Sequence, residues 1–142
     1  MLRVVIDTNI IVSGILSHNA APAQVLNAWR DRLFLMITSP AIVAEVKAVL
    51  QYAHIRKKYN LTDEEIDQVV SLLEHAALLV PGMADVAGSI PADPKDEILL
   101  ACAVDGQADL IVSGDHHLLD LMAYQNTMIM SARQFLEHLK TE

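Results

Sequence analysis

Four acidic side chains in this sequence stand beside apolar segments instead of on a polar surface. They are Asp7 after the apolar run 2–6, Glu45 within an apolar helical pattern, Asp96 before the run 97–104, and Asp115 after the strand-like residues 110–114. If the fold brings these carboxylates together, their charges repel each other unless a divalent cation neutralises them. A metal ion held by carboxylates is typical of phosphoryl chemistry, because it polarises phosphoryl oxygens and activates water.

Two of these acids also have a purely structural interpretation. Asp7 can cap a helix that begins at Thr8, and Asp115 can cap a short helix over residues 116–121. Both acids nevertheless come directly after a strand-like run. The residues themselves therefore leave capping and catalysis open.

The segment around Asp96 has a similar alternative. Asp93 and Pro94 predict a helix over residues 94–105 with Asp93 as its N-cap. Asp96 would then be an acid in the first turn, where the helix dipole favours a negative charge. Capping alone would explain both aspartates.

Glu45 is harder to explain as a structural residue. It borders the apolar face of the helix predicted over residues 40–51, and no basic residue on that helix lies three or four positions away. A carboxylate at such a border is costly unless something pairs with it or its side chain reaches water.

Short polar residues accompany the strand-end aspartates. Thr8 and Asn9 follow Asp7, and Ser113 precedes Asp115. They are either turn and cap residues or, if a metal site forms, the hydrogen-bonding partners that orient its ligands.

The pattern of elements predicts where these residues meet. Short, almost continuous apolar runs predict strands over residues 2–6, 33–37, 78–80, 110–112 and 127–130. Helical patterns separate them, over residues 8–16, 23–30, 40–51, 62–75, 94–105, 116–121 and from 131 onward. This alternation predicts a three-layer α/β/α fold with a central, mainly parallel sheet. Ligands bind beyond the carboxyl ends of such strands, where Asp7 and Asp115 lie.

Length and composition limit the class of protein. The 142 residues predict one domain over residues 1–142, and the hydrophobic fraction of 53% suffices for a full core. No apolar run is long enough to span a membrane, and the N-terminus lacks the features of a secretory signal. The single Cys102 cannot form an intramolecular disulfide, so a reducing cytoplasm is the expected location.

The charge balance bears on nucleic-acid binding. A net charge of −8 argues against a general nucleic-acid coat protein, but it does not exclude a nuclease with catalytic carboxylates. Basic residues concentrate at Arg56, Lys57 and Lys58, which are candidate phosphate contacts. A solvated helix end is the alternative interpretation of this patch.

Several other chemistries lack their motifs. The sequence has no GxSxG, Walker A or GxGxxG motif, and its histidines show no zinc-protease spacing. His116 and His117 form the one histidine cluster, but adjacent helical residues point in different directions, which disfavours joint metal ligation. Asp7 resembles the start of an aspartyl-phosphate phosphatase, although Asn9 stands where that family needs a second acid.

The chain resembles the PIN domain family from Val4 to Leu139. Four segments carry the resemblance: residues 5–9, the helix after Ser39 and Pro40 with Glu45, residues 93–97, and residues 108–115 followed by Leu118 and Leu119. The first and last segments are specific when they occur together at this spacing. The resemblance implies a PIN-like fold and a metal-dependent endoribonuclease similar to VapC-type toxins of toxin–antitoxin pairs.

The resemblance also implies which residues act. Catalytic acids are expected at Asp7, Glu45, Asp96 and Asp115 around one or two Mg²⁺ or Mn²⁺ ions, with Glu97 as the alternative to Asp96. The expected partners are an RNA substrate, an antitoxin protein and a second copy of the chain. A binding module without catalysis, acting on RNA or a partner protein, is the main alternative function.

Overall fold

The computed structural model describes residues 1–91 and 93–141. The strands are β1 (Arg3–Ile6), β2 (Leu35–Thr38), β3 (Leu78–Leu79), β4 (Leu110–Val112), β5 (Ala123–Tyr124) and β6 (Thr127–Met130). The α-helices are α1 (Thr8–Leu16), α2 (Ala21–Arg30), α3 (Pro40–Leu50), α4 (Ala53–Tyr59), α5 (Asp63–Ala76), α6 (Glu97–Gly106), α7 (His116–Leu121) and α8 (Ala132–Lys140). A 3₁₀ turn, Pro94–Asp96, precedes α6.

The strands of the described residues form one six-stranded sheet in the order β3-β2-β1-β4-β6-β5. All neighbouring pairs are parallel except β5 and β6, which are antiparallel. The predicted α/β fold with a central, mainly parallel sheet is therefore confirmed. The chain builds the sheet outward from β1 in one direction and then places β4 on the other side of β1. This reversal creates a switch point between β1 and β4, where such sheets bind ligands.

Helices cover both faces of the sheet. A right-handed connection places its helix on one face when the chain moves along the sheet in one direction, and on the other face when it moves back. Helix α1 packs against α2 and α3, whereas α6 packs against β1 and β2. Gly106 permits the close approach of α6, since a Cβ there would lie 2.6 Å from Cγ2 of Ile37. The central strands β1 and β4 are mostly apolar because both faces of the sheet are covered there, and Val4, Val5 and Ile111 are fully buried.

Three local features differ from the sequence-based prediction. Residues 53–59 form the separate helix α4, and the two-residue β5 adds an unpredicted edge strand. The predicted helix from Pro94 begins as an α-helix only at Glu97, because Pro94–Asp96 adopts the tighter 3₁₀ geometry. Among the described residues, no helix combines the length and apolarity needed to cross a membrane.

Candidate active site

Asp7 lies buried at the carboxyl end of β1, with 5% of its surface exposed. The pairing of Ile6 with Val112 sets Asp7 beside Ser113 of the neighbouring strand. Ser113 Oγ donates a hydrogen bond of 2.6 Å to Asp7 Oδ2, and the backbone N–H of Asn9 donates one of 3.2 Å to Asp7 Oδ1. Parallel strand pairing thus fixes the position of this carboxylate, and both its oxygens have a donor.

Ser113 connects Asp7 to the second strand-end aspartate. Its Oγ accepts a hydrogen bond of 3.0 Å from the backbone N–H of Asp115. The backbone N–H of His117 donates to Asp115 Oδ1 at 2.8 Å, so Asp115 caps α7 as Asp7 caps α1. Capping and membership of a shared acidic site are therefore compatible at both positions, because each cap uses only part of the carboxylate.

Asp93 joins the site, which the sequence analysis did not predict. In a 3₁₀ turn of about three residues, side chains at i and i+3 lie on the same side. One carboxylate oxygen from each of Asp93, Asp96 and Asp115 consequently lies within 4.8 Å of the other two. We call these three residues the aspartate cluster.

The predicted N-cap position of Asp93 is confirmed, but its side chain makes no capping hydrogen bond within the described part of the chain. The spacing Asp-Pro-x-Asp was the signal that could have identified Asp93 as part of the site, since the tight turn brings both carboxylates to one side.

The carboxylates of the site change one another's pKa values. Burial first, and then the charges of Asp115, Asp93 and Asp7, raise the pKa of Asp96 to about 7. Burial also raises the pKa of Asp7, against the hydrogen bonds from Ser113 and Asn9, and the charges of Asp115 and Asp93 act in the same direction as burial. These acids therefore lie close enough to disfavour simultaneous ionisation.

The pKa of Asp115 shifts in the opposite direction. Its partial burial alone would raise its pKa, but hydrogen bonds from the backbone of His117 and Leu118, and from the Asp96 carboxyl, hold the pKa below the usual value. Asp96 Oδ2 is buried and has no hydrogen-bond partner among the described residues. Of this pair, Asp96 has the raised pKa and Asp115 the lowered one, so Asp96 is the acid that favours its protonated form.

Glu45 lies half-buried in the middle of α3 and reaches the segment that carries Asp7. Buried Thr8, the residue after Asp7, donates a hydrogen bond of 3.1 Å from Oγ1 to Glu45 Oε2. Glu45 lies outside the aspartate cluster. Thr8 therefore supplies the polar partner that the sequence of α3 lacks.

Two other candidates from the sequence analysis, Glu97 and the pair His116 and His117, are next to members of the aspartate cluster in the sequence but do not belong to it. Glu97 follows Asp96 and has a buried Oε2 without a partner in the described segments, but its carboxylate is not part of the cluster. The rings of His116 and His117 lie 4.0 Å apart, and neither belongs to the cluster. Asp96 is thus the acid that the turn directs toward Asp115.

The predicted substrate-binding residues all lie on α4. Arg56 forms a salt bridge of 2.9 Å with Asp63 and so joins α4 to the start of α5. Lys57 and Lys58 are exposed, and the Lys58 ammonium lies 5.3 Å from the centre of the Tyr59 ring. Helix α4 follows the carboxyl end of α3, whose amino end lies at the carboxyl edge of the sheet.

The donor set of the aspartate cluster suits a hard divalent cation. Mg²⁺ and Mn²⁺ prefer carboxylate oxygens, and the cluster offers three of them at one point. The unpartnered Asp96 Oδ2 leaves a buried acceptor that such an ion would satisfy.

We expect Ser113→Ala to destabilise the protein by about 1–3 kcal/mol, because the substitution removes a buried hydroxyl that serves both strand-end aspartates. It should also raise the pKa of Asp7 further, since the hydrogen bond from Ser113 lowers that pKa. Urea unfolding measures the stability. The exposed Ser13→Ala in α1 is the control, and equal stability of the two variants would contradict the expectation.

The arrangement defines an α/β protein with an acidic site at the switch point of its sheet. A family model described as "PIN domain" matches residues 3–117. The chain belongs to the PIN domain family.

The chain is also similar to one curated protein and to two solved structures. The uncharacterized protein MJ1680 of Methanocaldococcus jannaschii is 23% identical over 120 residues, which cover 84% of this chain and 75% of that protein. The fold also matches VapBC2 of Rickettsia felis bound to a promoter DNA fragment, with a TM-score of 0.60, 13% identity and coverage of 90% and 97% of the two chains. FitAcB of Neisseria gonorrhoeae matches with a TM-score of 0.53, 14% identity and coverage of 92% and 98%. Both are toxin–antitoxin complexes.

Proposed function

We propose that this PIN domain protein is a metal-dependent endoribonuclease. The observation that carries the proposal is the convergence of Asp93, Asp96 and Asp115 at the switch point of the sheet, with Asp7 near enough to raise the pKa of Asp96. In the described part of the chain, no Lys or Arg forms an ion pair with these four neighbouring carboxylates. Such an arrangement is costly to a fold, and cation binding is the function that accounts for it.

These residues would have different roles in phosphodiester hydrolysis. Asp93, Asp96 and Asp115 would hold Mg²⁺ or Mn²⁺, with Asp7 as a further ligand, directly or through water. Such an ion lowers the pKa of bound water and offsets charge on the phosphate. Ser113 and Asn9 keep Asp7 in place through the hydrogen bonds described above. Glu45, oriented by Thr8, would bind a second ion or orient the attacking water.

The similar structures support a toxin role. VapBC2 and FitAcB are toxin–antitoxin complexes, so we propose that this chain is the toxin of such a pair and binds an antitoxin protein. Homodimer formation and a cytoplasmic location stay predictions from the sequence. Arg56, Lys57 and Lys58 stay predicted RNA contacts, and the exposed Lys57 and Lys58 have the more accessible charges.

The test is cleavage of a panel of single-stranded and structured RNAs by the purified protein. We expect cleavage with Mg²⁺ or Mn²⁺ and none in excess chelator, because the carboxylates need the ion to act on a phosphate. Tight RNA binding without cleavage in either metal would favour the alternative of a binding module. Cleavage that survives chelation would refute the metal mechanism.

A further inference from the structure

The aspartate cluster must accept a negatively charged substrate. RNA carries one negative charge per nucleotide, and an ion at the cluster offsets only part of the repulsion between the substrate and four carboxylates. A positively charged side chain at the edge of the cluster would stabilise the complex. The chain contains ten Lys and Arg residues that could supply this side chain.

One basic residue lies within the segments that carry the aspartates. Residues 4–29 hold Asp7 and contain no Lys or Arg, and residues 81–132 hold the aspartate cluster and contain only Lys95. Arg133 follows β6, which is one strand further from β1 than β4 is. Arg3 begins β1 at the opposite edge of the sheet, where it donates to the carbonyl of Gly106.

The 3₁₀ turn explains why Lys95 is available to a substrate. It lies between Asp93 and Asp96 in the sequence, yet about three residues per turn rotate it away from the side that those two carboxylates share. Lys95 is exposed and makes no salt bridge within residues 1–91 and 93–141. Lys95 is therefore a residue of the turn that joins Asp93 to Asp96, and its side chain forms no ion pair with either of them.

We propose that Lys95 binds an RNA phosphate next to the one being cleaved, an inference that rests on the proposed ribonuclease function. Lysine contacts phosphate as a compact point charge, and the 3₁₀ turn places Lys95 in the chain between two acids of the cluster. The phosphate to be cleaved would lie at the cation site that Asp93, Asp96 and Asp115 would form, whereas Lys95 holds a neighbouring phosphate that does not react. Lys95 then stabilises the ground state and the transition state equally, so it acts on KM and not on kcat.

The experiment compares Lys95→Gln, Lys95→Arg and the control Lys140→Gln, which removes an exposed charge at the far end of α8. On an RNA that the wild type cleaves, Lys95→Gln should raise KM roughly fivefold to tenfold and leave kcat within about twofold. Lys95→Arg should restore most of the affinity, and Lys140→Gln should match the wild type. A wild-type KM in Lys95→Gln, or a lower kcat at unchanged KM, would overturn the proposal.

Fluorescence anisotropy of a labelled single-stranded RNA gives a readout independent of cleavage. Each variant is titrated with this RNA in the Asp7→Asn background over a range of salt concentrations. Loss of one phosphate contact should flatten the slope of log affinity against log salt by about 0.7. If the wild type binds this RNA but cleaves none, the ribonuclease proposal fails, while weaker binding by Lys95→Gln would still support the phosphate contact. An unchanged affinity and slope would refute the contact itself.

Discussion

Asp7→Asn is expected to lower RNA cleavage at least about 100-fold while the fold survives, since loss of a residue that merely orients a metal site already costs 10- to 100-fold. The amide keeps the shape of the side chain, and its one oxygen can still accept one of the two hydrogen bonds that Asp7 receives from Ser113 and Asn9. It lacks the negative charge that attracts a cation. Cleavage with Mg²⁺ or Mn²⁺, followed alongside thermal melting, tests the expectation.

The stability of this variant separates a catalytic role from a structural one. Burial raises the pKa of Asp7, so its ionised form opposes folding at neutral pH. Asp7→Asn should therefore melt at the same temperature as the metal-free wild type or at a higher one. The exposed Asp67→Asn in α5 is the control for charge removal and should retain full activity. Full activity of Asp7→Asn would refute the role of Asp7, and a large drop in melting temperature would show a structural role instead.

The metal-free protein is expected to lose stability as the pH rises from 5 to 8. The pKa of Asp96 is raised from 3.8 to about 7 in the folded protein, so the folded state holds a proton that the unfolded state has already released. This contribution is fully present below the unfolded pKa of 3.8 and is lost as the pH rises through about 7. Asp7 acts in the same direction, whereas the lowered pKa of Asp115 affects only more acidic solutions.

A divalent cation should reverse this loss, because it neutralises the carboxylates that repel one another. At a concentration 100 times its dissociation constant, Mn²⁺ should add about 2.7 kcal/mol, or roughly 8 °C in melting temperature. At one fixed Mn²⁺ concentration, the gain should be larger at pH 8 than at pH 5, because the ion competes with the proton on Asp96. Thermal melting with chelator and with Mn²⁺ across this pH range measures both effects.

Asp96→Asn is the informative variant for the same measurement. It should flatten the pH dependence of the metal-free protein and reduce the stabilisation by Mn²⁺, while Asp67→Asn should change neither. A melting temperature that does not respond to Mn²⁺ at any pH would contradict the cation site. A pH dependence that persists in Asp96→Asn would assign the raised pKa to a different group.

Several secondary-structure elements that depend on short stretches of sequence were predicted correctly. Strands β4 and β6 have the predicted bounds, because short, apolar, β-branched runs between turn residues suit a sheet covered on both sides. Helices α5 and α8 begin where the sequence predicted, directly after Thr62 and Ser131, because the capping box at each of these residues satisfies backbone groups within four residues. Helix α4 was missed, since no capping side chain marks its start.

The candidate site was only partly visible in the sequence. The position of Asp7 and Asp115 after central strands followed from the alternation of elements, because parallel strands end at the same edge. Asp93 was assigned to capping because its neighbour Pro94 makes a helix start the simplest local interpretation. Its carboxylate belongs to the aspartate cluster because the turn sets it beside Asp96 and the tertiary structure brings both to Asp115, a long-range contact that the local residues do not specify.

By itself, the sequence determined the class of fold, the family and the strand ends from which two aspartates project, because periodicity, caps and motifs are local properties of the chain. The tertiary structure decided which acids meet. The pairing of β1 with β4 brings together Asp7 and Ser113, which are 106 residues apart, and packing of α1 against α3 joins Thr8 to Glu45. It also set the pKa of Asp96, because burial and the charge of Asp115 act through space between segments that are distant in the chain.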